Sequence, residues 1–89
     1  MDRAEVRRWF GRQMMQRRLR MGLTQHSLGQ LVGLSQAQVC RAERGMRGVP
    51  VEVAWALART FGCTVDELLR PPPGRRLPGA DQAGLEPMR

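Results

Sequence analysis

The chain is short, basic and moderately apolar, and these properties narrow its class. With 89 residues and a net charge of +7, it has room for one domain, and its charge favours an acidic partner such as nucleic acid. The hydrophobic fraction of 42% is ordinary for a globular domain. We expect no membrane-spanning segment, because no apolar run approaches the roughly 18–20 residues that a bilayer requires. We expect no secretory signal, because charged residues recur from Asp2 through Arg20. The sequence therefore predicts a cytoplasmic protein.

The positive charge is concentrated in the first half of the chain. All fifteen basic residues are Arg, and ten of them lie within residues 1–49, together with three acidic residues. Residues 50–70 hold two Arg and three acidic residues. Such a basic surface attracts polyanions, above all nucleic acid, and we expect no membrane partner. Two Cys and one His are too few for a structural zinc site, so we expect free thiols at Cys40 and Cys63 and no metal or cofactor.

The first predicted helix covers residues 3–20 and ends before Gly22. Five residues in this part of the chain recur at three- and four-residue spacing, and we expect this stripe to face the core. They are Val6, Phe10, Met14, Arg18 and Met21. Arg18 is the charged member of this stripe, where a charge is penalised unless it is paired.

Two short helices joined by a glycine-containing turn follow. Thr24 is the predicted N-cap of a helix over residues 25–32, and Gly33 breaks that helix. Ser35 is the N-cap of a third helix over residues 36–44. Two short helices with such a turn between them are typical of a helix-turn-helix.

Two further helices complete the predicted folded part. Pro50 suits the first turn of a helix over residues 51–61, and Thr64 caps a short fifth helix. The expected core positions of helices two to five are Leu28, Leu31, Val32, Val39, Ala42, Ala54, Leu57, Ala58, Phe61, Leu68 and Leu69. We expect an all-α, compact five-helix bundle over residues 1–70, followed by a disordered Pro/Gly-rich tail over residues 71–89.

The helices carry a series of short motifs in a fixed order. The series consists of Gly22-Leu-Thr-Gln25, Leu28, Leu31, Gly33-Leu-Ser-Gln36, Val39, Glu43-Arg-Gly45, Phe61-Gly62 and Val65-Asp-Glu-Leu-Leu69. It resembles the Cro and phage-repressor helix-turn-helix family, of the xenobiotic-response-element type, over about residues 5–70. The resemblance implies a lambda-repressor-like fold that is presented to DNA as a two-fold dimer. Gly29 departs from the family, which commonly has Ala at this closely packed position.

The third predicted helix is the candidate reading helix. Spacing predicts an outward face that consists of Gln36, Ala37, Cys40, Arg41 and Arg44. By resemblance, Gln36, Ala37 and Arg41 occupy the family's base-reading positions, and Gln pairs well with adenine and Arg with guanine. The alternative is that these side chains simply solvate an exposed helix face.

The resemblance also implies contacts to the DNA backbone. Gln25 begins the second helix, where the family binds a phosphate, and a helix N-terminus favours anions. The other predicted phosphate contacts are Gln38, Arg44 and Arg47.

Two structural roles are predicted outside direct DNA contact. Arg18 and Glu43 occupy positions that pair in the family and lock helix one to the reading helix. Trp55 falls beside the apolar stripe of helix four, and a partly exposed Trp in a weakly charged region suits a dimer contact.

The leading interpretation is a sequence-specific transcriptional regulator. It is a repressor that binds a palindromic double-stranded DNA operator as a homodimer, with helix three in the major groove. Two alternatives stay open: an antitoxin whose residues 71–89 fold on a protein partner, and a restriction–modification controller protein. The sequence offers no nucleophile–base constellation for an enzyme and no evident pocket for a small-molecule ligand.

Overall fold

The computed structural model describes residues 2–70 of the chain. Within this range the helices in chain order are α1 (Arg3–Arg20), α2 (Gln25–Val32), α3 (Gln36–Glu43), α4 (Val51–Phe61) and α5 (Val65–Leu69). The predicted all-α, five-helix bundle is thereby confirmed. The third helix is one residue shorter than predicted, because Arg44 is its C-cap. The predicted tail over residues 71–89 lies outside the described residues.

Side-chain caps set where the helices begin. The side chains of Asp2, Ser35 and Thr64 each accept a hydrogen bond from the backbone amide three residues on. The Glu or Gln side chain at that position in turn accepts from the backbone amide of the cap residue. Thr24 caps α2 through its hydroxyl, which accepts from the Ser27 amide at 3.0 Å. Each such cap stabilises its helix by about 1 kcal/mol. The start of both helices of the helix-turn-helix is therefore encoded locally.

The turn between α2 and α3 depends on Gly33. This residue has a φ of +83°, which L side chains rarely adopt. The amides of Gly33 and Leu34 both donate to the Gly29 carbonyl oxygen, at 2.8 and 2.9 Å. A β-carbon on Gly29 would overlap with the carbonyl oxygen of Leu34. The crowding expected at Gly29 therefore comes from the turn rather than from the body of α3.

A single hydrophobic core joins the helices. Its buried members are Phe10, Met14, Leu28, Val32, Val39, Ala42, Ala54, Leu57, Ala58 and Leu68. Three side chains predicted for the core are instead exposed: Met21 by 49%, Leu31 by 58% and Leu69 by 43%. Trp9 lies outside the predicted stripe and yet is only 1% exposed. Helical spacing identifies the buried side of a helix, but neighbouring helices decide how wide that side is.

Helix α1 packs closely against the end of α3 at Gly11. A β-carbon on Gly11 would overlap with the carbonyl oxygen of Ala42 and lie 2.7 Å from that of Glu43. Helix α1 is therefore the direct support for the C-terminal end of α3, the candidate reading helix.

Candidate nucleic-acid interface

Helix α3 has one buried side and one exposed side. The buried side consists of Val39, Ala42 and Glu43. The exposed side consists of Gln36, Ala37 and Arg41, followed by Arg44 at the C-cap. Cys40, which was expected on the outward face, is half-buried. A helix with this exposed side fits the major groove, where Gln and Arg donors meet base edges.

Around α3, two of the three predicted phosphate contacts already bond within the protein. Gln38 Oε1 accepts from the Ser35 amide at 2.8 Å, so only the amide nitrogen of Gln38 is left to reach outwards. Arg47 Nε donates to the Gly48 carbonyl oxygen at 3.1 Å, which leaves its two terminal nitrogens. Arg44 is exposed at the end of α3. Of these three side chains, Arg44 is the most accessible to a phosphate.

Arg18 and Glu43 form a buried ion pair between α1 and α3. Arg18 Nε lies 2.7 Å from Glu43 Oε2, and its Nη2 donates to Oε1 at 3.1 Å. The remaining nitrogen, Nη1, donates to the Leu23 carbonyl oxygen at 2.9 Å. The two side chains are only 10% and 3% exposed. Removing one partner would strand a buried charge at a cost of about 3–5 kcal/mol, so the pair holds α1 and α3 in register.

Gln25, the first residue of α2, joins the same network. Its Nε2 donates to Glu43 Oε1 at 3.1 Å across a sequence separation of 18. The structure thus brings together Arg18, Gln25 and Glu43, which the sequence had assigned to two separate roles. Nothing in the sequence predicts the hydrogen bond between Gln25 and Glu43, because a contact between helices leaves no local sequence pattern.

Trp55 lies on α4, outside the helix-turn-helix. Its side chain is 58% exposed, and the Arg59 guanidinium stacks over the ring at 4.9 Å from the centroid. Val51, one turn earlier on the same helix, is 74% exposed. This side of α4 is therefore accessible and combines two large apolar side chains with the Arg59 guanidinium.

The two cysteines are free thiols. Burial raises the pKa of the Cys63 thiol, Arg17 partly opposes this, and Glu67 adds to it. Cys63 is therefore less reactive than an ordinary cysteine, since the thiolate is the nucleophile. In the described range, no group of three or more His, Cys, Asp or Glu residues could hold a metal ion. Across residues 2–70, no helix is both long and apolar enough to cross a bilayer.

Comparison with known proteins identifies the relatives of this fold. The HTH_3 helix-turn-helix family model matches residues 14–68, more than half of the chain. The P22 c2 repressor, solved with a synthetic operator, is 30% identical with a TM-score of 0.66, over 68% of this chain and 92% of that one. The restriction-modification controller protein C.AhdI from Aeromonas hydrophila is 31% identical with a TM-score of 0.69, over 76% and 99%.

The same fold also occurs inside a larger protein. Hydroxypropylphosphonic acid epoxidase from S. wedmorenis is 21% identical with a TM-score of 0.67, over 74% of this chain but 35% of the enzyme, so the likeness is one of fold. No curated protein sequence matches the chain. The chain therefore belongs to the HTH_3 family of helix-turn-helix proteins and has the fold of phage-repressor-like DNA-binding transcriptional regulators.

Proposed function

We propose that the chain is a transcriptional repressor that binds a palindromic operator as a homodimer, with α3 in the major groove. The observation that carries this proposal is the exposed side of α3, which presents Gln36, Ala37 and Arg41 together. Gln pairs with adenine through two hydrogen bonds, Arg does so with guanine, and a small apolar side chain contacts the thymine methyl group. These three residues are the proposed base readers.

The proposed backbone contacts surround the reading helix. Arg44 and Arg47 follow α3, Gln38 lies in its first turn, and Gln25 begins α2. Such contacts orient the protein on the duplex without specifying sequence. The ten Arg of residues 1–49 add a long-range attraction to DNA.

The proposed homodimer follows from the two-fold symmetry of the proposed palindromic operator. Two reading helices on one side of a duplex require half-site centres about 10 base pairs apart. Trp55 on α4 is the candidate dimer contact, since it is large, aromatic and exposed. The P22 c2 repressor, which shares this fold, was solved on a synthetic operator, and this supports DNA as the partner.

A selection of bound duplexes from a random pool tests the proposal. We expect enrichment of a palindromic site whose half-sites are centred about 10 base pairs apart. A variant with both Gln36→Ala and Arg41→Ala should bind the pool without enriching that site, because it keeps the backbone contacts. A single unrepeated site would argue against the dimer, and no enrichment at all would argue against sequence-specific binding.

A restriction–modification controller is the second candidate. The similarity to C.AhdI, which extends over 99% of that protein at 31% identity, favours this role specifically. Footprinting of the protein's own upstream region would support either function, so genome-wide mapping of its bound sites is needed to distinguish the two. A bound site upstream of a restriction endonuclease gene supports the controller, whereas a site upstream of an unrelated operon supports the repressor.

The antitoxin alternative depends on residues 71–89, which lie outside the described range. Co-purification of the product of a neighbouring gene, lost on removal of these residues, would favour it. The family and its neighbours point to a regulator and not to an enzyme, since the epoxidase shares only the fold of part of its chain.

A further inference from the structure

One carboxylate, that of Glu43, connects the interior of the protein with a proposed DNA contact. Its Oε1 accepts from Arg18 Nη2 and from Gln25 Nε2, each at 3.1 Å. The Glu43 side chain is 3% exposed, whereas Gln25 is half-buried at the start of α2. The hydrogen-bonded chain therefore runs from a buried ion pair to the surface.

The carboxylate also determines which way the Gln25 amide faces. An ionised carboxylate only accepts hydrogen bonds, so the amide nitrogen, and not the oxygen, must face Glu43. The terminal torsion of Gln is otherwise broad and roughly two-fold, which would let oxygen and nitrogen exchange places. Of the two hydrogens on Nε2, one is bonded to Glu43, and the other remains as a donor.

We propose that Glu43 is a positioning residue for DNA binding: it holds the Gln25 amide so that its second hydrogen donates to a backbone phosphate. This inference rests on the proposed function, because it requires a phosphate beside Gln25. A side chain that is already held in place loses less rotational freedom when the duplex docks, and this raises affinity. The Arg18–Glu43 pair thus serves binding as well as folding.

A double-substitution cycle on a random-sequence duplex of about 20 base pairs tests the proposal. Gln25→Met keeps the length of the side chain without its donor. Glu43→Gln replaces the carboxylate by an amide that can present either oxygen or nitrogen, so it no longer fixes which way the Gln25 amide faces. We expect each single substitution to weaken binding about five- to tenfold, because about one hydrogen bond to the duplex is lost. Because both changes act through the same proposed contact between Gln25 and a phosphate, the double variant should bind no more weakly than the single variant with the lower affinity.

Two matched controls separate positioning from general effects. Glu52→Gln makes the same charge change at an exposed position of α4. Gln30→Met makes the same side-chain change at an exposed position of α2. Neither should weaken binding. All titrations are run at a temperature where urea unfolding shows every variant to be fully folded. Additive losses in the double variant, or equal affinities for Glu43→Gln and Glu52→Gln, would overturn the proposal.

A second measurement uses the unaltered chain and so does not depend on whether Glu43→Gln folds. By NMR, the side-chain amide hydrogens of Gln25 should exchange with water more slowly than those of exposed Gln30, and more slowly still with the duplex bound. Equal exchange in the free protein, or faster exchange of Gln25 on the duplex, would show that Glu43 does not hold it. If the unaltered chain binds no duplex, the proposed function itself fails.

Discussion

Two arginines near the end of α3 have the same chemistry and different proposed roles. Arg41 lies on the exposed side of the helix beside the other base readers, whereas Arg44 is the C-cap. A base contact discriminates between sequences, while a phosphate contact strengthens binding to all of them. The two substitutions to Ala should therefore differ in how they affect specific and random DNA.

Arg41→Ala is expected to cost about 1–3 kcal/mol on the selected operator and to relax the preference for one base pair. Arg44→Ala should weaken operator and random DNA alike and reduce the dependence of log affinity on log salt by about 1. Anisotropy titrations of both DNAs over a salt series measure these effects. Equal losses on operator and random DNA for Arg41→Ala would contradict its role as a reader.

Helix α1 positions α3 through backbone contact as well as through charge. At Gly11 the two helices approach so closely that a β-carbon would overlap with the Ala42 carbonyl oxygen. The same two helices are joined by the Arg18–Glu43 pair. Nothing in the sequence marks Gly11 as a packing position, because a glycine inside a helix indicates only a weak helix former. Its role depends on which element lies across it.

Gly11→Ala is expected to lower the free energy of unfolding by up to about 2 kcal/mol. Overpacking against rigid backbone costs about 1–3 kcal/mol, which outweighs the gain of up to about 1 kcal/mol in helix propensity. Urea unfolding measures the difference. Gly48→Ala is the matched control: the nearest atom to its β-carbon would be Arg7 Nε at 3.5 Å, so its stability should be unchanged or slightly raised. Equal stability of the two variants would refute the close-packing argument.

The exposed apolar side chains of α4 and α5 lie where the net charge is small, although others occur in the basic half of the chain, at Leu19, Leu31 and Met46. Most Arg lie within residues 1–49, whereas Val51, Trp55 and Leu69 of α4 and α5 are 74%, 58% and 43% exposed. Val51 and Leu69 also line an open apolar groove of about 280 Å³. Residues 50–70 carry two Arg and three acidic residues, so two copies would repel each other little there. We propose this surface as the homodimer face.

Trp55→Glu is expected to weaken self-association about tenfold or more, because it removes an aromatic anchor and puts a hydrated charge in its place. Sedimentation equilibrium without DNA measures the monomer–dimer constant. Leu31→Glu on α2 is the matched control, since both native side chains are 58% exposed. An equal shift in both variants, or an unaltered chain that stays monomeric, would rule out this face as the dimer contact.

Local signals in the sequence are sufficient for the helices and for the candidate reading side of α3. Helix ends depend on hydrogen bonds within a few residues, as at the caps Thr24 and Ser35 and at the left-handed Gly33. These ends can therefore be predicted from the sequence. The side of α3 that carries Gln36 and Arg41 follows from helical spacing. The resemblance to phage repressors added the expectation that Arg18 and Glu43 pair.

Contacts between distant residues depended on how whole helices pack. The hydrogen bond from Gln25 to Glu43 and the close approach of α1 to α3 at Gly11 each join segments far apart in the chain. The exposure of Leu31 and the burial of Trp9 likewise depend on which helix lies beside each residue. Packing is a collective property of interlocking side chains and leaves no periodic pattern in the sequence. The helices and their polar sides are therefore local properties of this chain, whereas the network that joins its core to the proposed DNA contact at Gln25 is a product of the assembled fold.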